Sequence, residues 1–415
     1  MDILTLGLMT ISFISIYFSI YVLYCSTFRK RYAKLKSYPT ISILIPAYNE
    51  EKNIEKTIKA CLRLNYPKQK LDIIVINDGS TDSTSKICKP YASKGLIKLI
   101  DKRKNEGKVK SINKVLKKIK SEFFCVVDAD TLLSPNSLKQ MLKCFNDEKV
   151  AAVLAPLQPK NSKKNFLTKL QLIDYRLSYF FRNIFTFDNA NFIMNGASMY
   201  RTEIIKKVGY FDEKNLTEDL EIGLRLIKNG YKLEVAPTSS KTIVPESFKS
   251  FFKQRLRWYC GFFQNIFAYK EIILNPKFGS LGLFVLPLNI FWAFIALYVI
   301  GSLIFNTFQK FLNFYLNLKF VGLEETLRFT LQNFYPSFLL TSFSIISLIG
   351  FIFFFLLFEK ARKVKKRTLG KTIDLLNLWI YLIFYSMLNS FIWFVAFFKS
   401  FGRKKFPPKT HCLDV

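Results

Sequence analysis

Two carboxylates follow a predicted buried strand where it would reach the edge of a sheet. Asp128 and Asp130 lie one residue apart, directly after the apolar run Phe123–Val127. Two like charges this close disfavour each other's ionisation unless a cation or hydrogen bonds compensate them. Mg²⁺ or Mn²⁺ takes oxygen ligands and commonly completes its shell with substrate phosphates. The spacing therefore favours a metal site, with a purely structural pair as the alternative.

A second acidic cluster precedes an apolar pattern at helical spacing. The segment Thr217-Glu218-Asp219-Leu220-Glu221 could be a capping box with Thr217 as the N-cap, since acidic residues are favourable in the first turn of a helix. Capping needs only one or two of these acids. A carboxylate is then left to act as a base.

Three polar segments follow predicted strands or open predicted helices: PAYNE at 46–50, NDGSTD at 77–82 and KRKNEGK at 102–108. Without a functional role, PAYNE would be an ordinary helix start, NDGSTD a capping turn and KRKNEGK a solvated charged face. As functional groups, Asp78 could accept hydrogen bonds from a nucleoside. Lys108, at a helix N-terminus, could bind a diphosphate.

Gln254, Arg257 and Trp258 are spaced i, i+3 and i+4, so they share one face of a predicted helix. A Trp on an amphipathic helix is most often an anchor at the membrane interface. An amide, a guanidinium and an indole on one face could also bind sugar and phosphate.

The composition narrows the possible chemistry. Among 415 residues there is one histidine, His411 near the C-terminus, which excludes a histidine base and a zinc site built on several imidazoles. The seven cysteines include no C-x-x-C pair and are odd in number, which argues against a secreted disulfide framework. A reducing compartment is the simpler interpretation.

The elements that must position these residues alternate along residues 38–246. Apolar runs at 41–45, 72–76 and 123–127 predict strands, and the spacing at 51–64 predicts a helix. Strands alternating with helices predict an α/β domain with a mostly parallel sheet, whose ligands bind at the carboxyl ends of the strands.

Apolar segments flank this domain. Residues 4–24 carry no charge and are followed by Arg29-Lys30-Arg31, and residues 281–305, 338–358 and 375–398 are also long enough to span a bilayer. We therefore expect a transmembrane helix within 1–27, an interfacial amphipathic segment at 247–275, about three spans within 279–400 and a basic tail at 401–415. The positive-inside rule makes this a multi-pass protein of the cell membrane with a cytoplasmic 38–246 domain. The number and parity of the spans stay open.

The charge balance points to an anionic partner. The chain has 62 Lys and Arg against 30 Asp and Glu, a formal net charge of +32. Because these residues concentrate beside the apolar segments, anionic lipid headgroups, worth about 1 kcal/mol per basic residue, are the nearer partner. Nucleic acid is not expected as a partner.

Taken in order, seven segments resemble the inverting glycosyltransferases of family 2, which have the nucleotide-diphospho-sugar transferase (GT-A) fold. They are PAYNE, INDGSTD, KNEGK, VVDADT, NGASMYR, GYFDEKNLTEDLEIGLRLIKNGYK and QRLRW, between Ile41 and Trp258. With the flanking apolar segments, the Q-x-x-R-W element is similar to that of cellulose, chitin, hyaluronan and poly-N-acetylglucosamine synthases. Ceramide glucosyltransferases carry a related element.

The resemblance implies a role for each matching residue. The residues implied around the nucleotide base and ribose are Ala47, Tyr48, Glu50 and Asp78. Lys108 would lie near the diphosphate and Asp128 near the ribose and donor sugar. Asp130, with Asp128, would bind the metal. The resemblance further implies Asp219 as the base with Glu218 beside it, Gly196, Ala197 and Ser198 along the donor-sugar and acceptor site, and Gln254, Arg257 and Trp258 closing the pocket.

The expected activity follows from these roles. A membrane-bound inverting glycosyltransferase with Mg²⁺ or Mn²⁺ would move a hexose or N-acetylhexosamine from a nucleotide-sugar, with UDP implied by the resemblance, to a growing polysaccharide, forming a β-glycosidic bond. One carboxylate takes the acceptor proton while the leaving diphosphate is neutralised on the opposite face. The alternatives are transfer of a single sugar to a lipid acceptor of the ceramide or polyprenyl-phosphate type, and a non-enzymatic membrane sensor.

Overall fold

The computed structural model describes residues 37–332 and 375–401 as continuous stretches, with further positions at 16–17, 19–21, 23–24, 32, 35 and 355. The predicted span at 338–358 and most of the one at 4–24 lie outside the described residues. So does the predicted basic tail, apart from its first residue.

Strands and helices are numbered here in chain order. They are β1 Ile41–Ala47, α1 Ile54–Leu62, β2 Leu71–Asn77, α2 Thr84–Ser93, β3 Lys98–Asp101, α3 Lys108–Leu116, β4 Phe123–Val127, α4 Ser137–Leu142, β5 Val150–Leu154, β6 Leu157–Pro159, α5 Phe166–Phe185, β7 Ala197–Arg201, α6 Thr202–Lys207, α7 Glu218–Lys228, β8 Lys232–Val235, β9 Ser240–Thr242, α8 Phe248–Ala268, α9 Leu286–Phe320, α10 Leu323–Gln332, α11 Leu375–Ile380 and α12 Ser386–Phe401. Short 3₁₀ segments lie at Lys68–Lys70, Thr186–Asp188, Lys270–Ile272 and Pro276–Phe278, and π-helical turns at Leu281–Val285 and Tyr381–Tyr385.

The main sheet has seven strands in the order β3-β2-β1-β4-β7-β5-β8. Its strands pair in parallel except β7, which runs antiparallel to both β4 and β5. A mostly parallel sheet is thus confirmed. Strands β1, β2 and β4 end at a common edge, so the polar segments that follow them come together there. A separate parallel pair joins β6 to β9.

Burial of both faces explains why these segments form strands. Every residue of β1, β4 and β5 is buried, as in parallel sheets covered by helices on each side. Alternate residues enter two different cores. Leu44 and Val126 pack with α3, α5, α7 and α8, whereas Ile43 and Cys125 pack with α1, α2 and α4.

The predicted elements agree with the observed ones to within a few residues. Strand β4 has the predicted bounds, β1 and β2 are each two residues longer than predicted, and helix α1 is shorter than the predicted 51–64. The segment predicted at 247–275 as amphipathic contains α8, which spans Phe248–Ala268.

The C-terminal helices pack against α8. Helix α12 runs along α8 and also contacts α9. The ring of Trp393 on α12 stacks on Tyr259 with centroids 4.5 Å apart and meets Phe263 edge-on at 5.2 Å. In the part of the chain that the structure describes, no helix combines the length and the apolar character needed to cross a membrane. The spans predicted at 281–305 and 375–398 therefore stay predictions.

Candidate active site

A cavity of about 500 Å³ opens at the carboxyl ends of the central strands, between the sheet and helices α5, α7, α8 and α12. This volume suits a small-molecule site, for which about 300–1,000 Å³ is usual. It brings together residues from five of the sequence motifs. The predicted residues that line it are Lys108, Asp128, Asp130, Gly196, Glu218, Asp219, Gln254, Arg257 and Trp258.

Lys108 joins two of the acidic motifs. Its Nζ lies 2.8 Å from Oδ1 of Asp128 and 3.1 Å from Oε1 of Glu218. Although burial opposes it, the two carboxylates raise the pKa of Lys108 above its usual value. Lys108 therefore stays charged in the cavity, held between a residue that follows β4 and the first residue of α7.

Glu218 and Asp219 are adjacent but differ in proton affinity. Burial, followed by the neighbouring charge of Glu218, raises the pKa of Asp219 to about 6. Burial also acts on Glu218, but Lys108 and Arg257 outweigh it and lower the pKa of Glu218. Neighbouring acids whose pKa values are pushed apart are typical of acid and base assignments. Asp219 is therefore the more basic of the two carboxylates, and its predicted role as the base stays a prediction.

Thr217 occupies the N-cap position of α7 without a side-chain capping bond. Its hydroxyl accepts a hydrogen bond from Nδ2 of Asn265 on α8 at 3.1 Å. The capping box that the sequence offered as an alternative is therefore wrong. The start of α7 is held by α8 instead, because Gln264 also accepts a bond from the backbone N–H of Leu216 at 3.1 Å.

The pair after β4 carries negative charge that its protein partners only partly compensate. Burial, followed by the charges of Asp128 and Glu50, raises the pKa of Asp130 to about 6. Gly196 packs directly on this pair, since a Cβ there would lie 1.7 Å from Oδ2 of Asp128. Only glycine allows β7 to approach so closely.

The donor atoms of this pair fit a hard divalent cation. Within the described residues, no group of three or more His, Cys, Asp or Glu side chains could hold a metal ion. Mg²⁺ typically uses one or two carboxylates together with substrate phosphates, and Asp130 with Asp128 supplies that number. The raised pKa of Asp130 also indicates a position where a cation would be favourable.

The predicted nucleoside residues lie beside the cavity and not among its lining residues. Ala47 is buried at the end of β1, and the Tyr48 side chain is 47% exposed. Glu50 accepts a hydrogen bond from Nδ2 of Asn53 at 3.0 Å and acts electrostatically on Asp130. These three residues remain candidates for nucleoside contacts.

Asp78 is buried and its oxygens are engaged by the loop that follows β3. It accepts hydrogen bonds from Nζ of Lys102 at 2.5 Å, from Oγ of Ser111 at 2.8 Å and from the backbone N–H of Gly107 at 2.8 Å. These contacts brace the turn that leads into Lys108. The predicted contact of Asp78 with a base or ribose stays a prediction.

Ala197 and Ser198 belong to β7 and are fully buried. Ser198 donates from its hydroxyl to the carbonyl oxygen of Asn195 at 2.7 Å, and the backbone N–H of Asp128 donates to the carbonyl oxygen of Gly196 at 3.0 Å. Of this predicted trio, Gly196 lines the cavity, and the other two shape the turn behind it.

The predicted face of α8 does turn towards the cavity. Oε1 of Gln254 is buried there without a hydrogen-bond partner among the described residues. Arg257 donates to the carbonyl oxygen of Leu216 at 3.3 Å, which places its charge beside Glu218 and Asp219. The buried amide oxygen can accept a hydrogen bond from a bound hydroxyl or N–H group.

Among the further residues that line the cavity, sequence reasoning did not single out Asp174, Arg182, Arg255 and Trp393. Two of them could have been found. Asp174 is the single acid in the aromatic-rich segment Phe166–Phe185, and Arg255 lies inside the QRLRW motif. Arg182 and Trp393 carry no comparable pattern.

Comparisons with known proteins agree with this geometry. Residues 42–209 match the model of glycosyl transferase family 2. The chain is 35% identical over 243 residues to the probable glycosyltransferase YdaM of Bacillus subtilis, a match covering 55% of this chain and 56% of that protein. It is 28% identical over 374 residues to the poly-β-1,6-N-acetyl-D-glucosamine synthase of Staphylococcus epidermidis, covering 88% of this chain and 84% of that one.

Among solved structures, a mannosyltransferase from Pyrobaculum calidifontis in complex with GDP-mannose and Mn²⁺ superposes with a TM-score of 0.55 at 19% identity, covering 67% of this chain and 78% of that one. At this identity the likeness concerns the fold. The sheet and its helices thus share the fold of that structure.

Proposed function

We propose that this chain, whose residues 42–209 match the model of glycosyl transferase family 2, extends a polysaccharide by moving an N-acetylhexosamine or hexose from a UDP-sugar, with inversion to a β-glycosidic bond. The observation that carries the proposal is one cavity in which Asp219, with its raised pKa, lies near the cations Lys108 and Arg257. The similarity to a poly-β-1,6-N-acetyl-D-glucosamine synthase over 88% of the chain favours N-acetylglucosamine as the sugar.

A single displacement needs one base and one neutralised leaving group. Asp219 takes the proton of the acceptor hydroxyl as that oxygen attacks the anomeric carbon. Lys108 and Arg257 stabilise the negative charge that develops on the leaving diphosphate. Glu218 keeps Lys108 in place through their 3.1 Å ion pair. Attack opposite the leaving group inverts the anomeric configuration.

Asp130, with Asp128, would hold the divalent cation, Mg²⁺ or Mn²⁺. The cation supplies neutralisation of the phosphate oxygens when it is bound. The chain's own contribution is a half-buried pair of carboxylates, of which Asp128 is fixed by the Lys108 ion pair and by the close approach of Gly196. Glu50, Tyr48, Ala47 and Asp78 complete the proposed nucleoside side of the site.

The membrane is part of the proposal. Apolar segments at 4–24 and 338–358 and the basic residues beside them favour a multi-pass protein of the cell membrane with a cytoplasmic catalytic domain. Large apolar side chains are also exposed on α9 and α12, such as Phe311 at 68% and Phe398 at 57%. Such surfaces mark contact with lipid or protein, and anionic headgroups suit the +32 charge.

The decisive experiment is a transferase assay on membranes and on detergent-purified protein. A panel of UDP- and GDP-sugars is supplied with Mg²⁺ or Mn²⁺, Asp219→Asn serves as the blank, and the product is sized. We expect a metal-dependent polymer from UDP-N-acetylglucosamine. Absence of transfer with every donor would overturn the proposal, and transfer from a different donor would replace the sugar.

A second candidate is transfer of one sugar to a lipid acceptor. It is favoured by the apolar wall of the cavity, where Phe262 and Trp393 face the site beside Trp258. Organic-solvent extraction separates the candidates, because a glycolipid enters the organic phase and a long polymer does not. A product limited to one sugar and found in the organic phase would select this candidate.

A further inference from the structure

A buried polar cluster joins α5, α8 and the C-terminal helices beside the cavity, whose wall includes Asp174 and Arg255. Nη2 of Arg255 lies 2.7 Å from Oδ2 of Asp174 and donates to the hydroxyl of Tyr385 at 2.9 Å. The hydroxyl of Tyr385 in turn donates to Asp174 at 3.1 Å, and that of Tyr381 donates to its other oxygen at 3.1 Å. We call these four side chains the clasp.

The clasp acts on the helix that carries the predicted acceptor and diphosphate residues. Arg255 follows Gln254 directly, so its side chain leaves α8 about 100° around the helix from that of Gln254, and both side chains line the cavity. Its guanidinium lies 4.3 Å from the centre of the Trp258 ring, within cation–π distance. The ion pair to Asp174 therefore sets both the rotation of α8 and the support behind the Trp258 ring.

The two tyrosines come from an unusual backbone element. Tyr381–Tyr385 is a π-helical turn between α11 and α12, and its first and last rings stack with centroids 4.9 Å apart. Such turns are rare and are frequent at functional sites. Here the turn directs the hydroxyls of Tyr381 and Tyr385 onto the carboxylate of Asp174. Packing between regular helices does not by itself require this arrangement.

Because the ion pair between Arg255 and Asp174 is largely buried, its geometry is tightly constrained. The Arg255 side chain is 7% exposed and that of Asp174 is 20% exposed. A guanidinium this buried is stable only when its carboxylate partner is correctly placed, because an unpaired buried charge is strongly unfavourable. The hydroxyls that bind Asp174 also remove the freedom of the carboxylate to turn away.

We propose that Asp174 and Arg255 are positioning residues of the transfer reaction, and that Tyr381 and Tyr385 make segment 375–401 a working part of the active site. This inference rests on the proposed function and deepens it. The clasp holds Gln254, Arg257 and Trp258 against the cavity, so that the acceptor hydroxyl meets the anomeric carbon in line. The C-terminal helices are needed for catalysis through these contacts.

The test compares Asp174→Asn, Arg255→Gln and their double variant in the full chain, with Arg255→Lys as the rescue variant. Because small misplacements of reacting groups lower rates by about 100-fold, we expect kcat to fall by about that factor in each single variant. The Kd for UDP, measured by titration, should rise by much less than kcat falls, since Lys108 and the carboxylates after β4 are untouched and only the Arg257 contact is weakened. The double variant should lose no more than the worse single one, and Arg255→Lys should recover part of kcat.

The matched control removes an exposed ion pair near the start of the same helix. Glu246 lies 2.9 Å from Lys164, with side chains 40% and 65% exposed, so Glu246→Gln should leave kcat unchanged. If Asp174→Asn does not fold, the variant that carries both Tyr381→Phe and Tyr385→Phe decides, because it removes only hydroxyls. That variant should stay folded, with a cooperative melting transition, and should lower kcat by about tenfold.

Three results would overturn the clasp as a positioning device: unchanged kcat in the clasp variants, additive losses in the double variant, or a UDP affinity that falls in step with kcat. A wild-type chain that transfers no sugar from any donor is a separate outcome. That outcome contradicts the proposed function itself, and with it the positioning role of the clasp.

Discussion

Asp219 is the residue on which the proposed chemistry depends most directly. Burial and the charge of Glu218 raise the pKa of Asp219. The charges of Lys108 and Arg257 lower the pKa of Glu218. A protein environment that separates two adjacent carboxyls in this way gives one of them the proton affinity of a base. Glu218 then serves mainly to hold Lys108.

The first prediction concerns removal of this base. Asp219→Asn should lower kcat by about 100- to 10,000-fold, the range that a positioned base contributes. The matched control is Glu203→Gln, because Glu203 is also an acid in the first turn of a helix but is exposed. Steady-state transfer rates check both variants. Retention of more than a tenth of the wild-type rate by Asp219→Asn would assign the base elsewhere.

The second prediction is the direction of the pH dependence. The base acts when it is deprotonated, so transfer should fall as pH decreases through about 6, the raised pKa of Asp219. Below that pKa the rate should fall about tenfold per pH unit. The kcat/KM profile is measured at saturating Mn²⁺, so that Asp130 stays ionised. A profile that is flat down to pH 4.5 would contradict the assignment.

At the scale of elements, α7 and α8 cross with almost no space between them. A Cβ on Gly261 would lie 2.3 Å from Oγ1 of Thr217. Thr217 precedes the acidic residues of α7, and Gly261 lies one turn after Arg257 and Trp258 on α8. The glycine therefore sets how closely the base and the diphosphate-binding face approach each other.

The third prediction tests this crossing. Gly261→Ala should destabilise the fold by about 1–3 kcal/mol through overpacking and should lower kcat, because α8 must move away from α7. Gly301→Ala on α9 is the control, since an added Cβ there meets nothing within 4 Å. Thermal unfolding and transfer rates are measured for both. Equal behaviour of the two variants would mean that α8 can shift without consequence.

The elements also explain which features the sequence could predict. Strand β4 was predicted with its observed bounds because a run of buried apolar residues, ended by acids, is a local pattern. The antiparallel course of β7 was not predicted, since it depends on pairing with β4 across 70 residues or more of chain. Position along the chain carries no information about such a pairing partner.

For the candidate site, too, the sequence predicts local motifs but not contacts between residues that are far apart in the chain. Residues in contiguous motifs, such as Asp130 and Asp219, could be placed together from the sequence because charge and spacing are local; both line the cavity, and their chemical roles stay predictions. The partner of Thr217 was missed, because Asn265 lies 48 positions away and displaces the capping bond that the local sequence favoured. Asp174 and Arg255 were missed for the same reason, as they meet only when α5 and α8 pack.

At the scale of the whole molecule, two kinds of surface attraction could hold the chain at a bilayer. The formal net charge of +32 would attract anionic headgroups by about 1 kcal/mol for each basic residue near the surface. The apolar segments at 4–24 and 338–358 would instead insert into the hydrocarbon core. Salt distinguishes the two, because it screens charges and does not weaken apolar insertion.

The fourth prediction is therefore retention in the membrane. Membranes that contain the chain are washed with 1 M NaCl, where the Debye length is about 3 Å, and then with alkaline carbonate. We expect the chain to stay in the membrane fraction through both washes and to leave it only in detergent, because inserted apolar segments do not depend on ionic attraction. A soluble glycosyltransferase domain bound by charge alone would be released by the first wash, and that result would replace the multi-pass arrangement with a peripheral one.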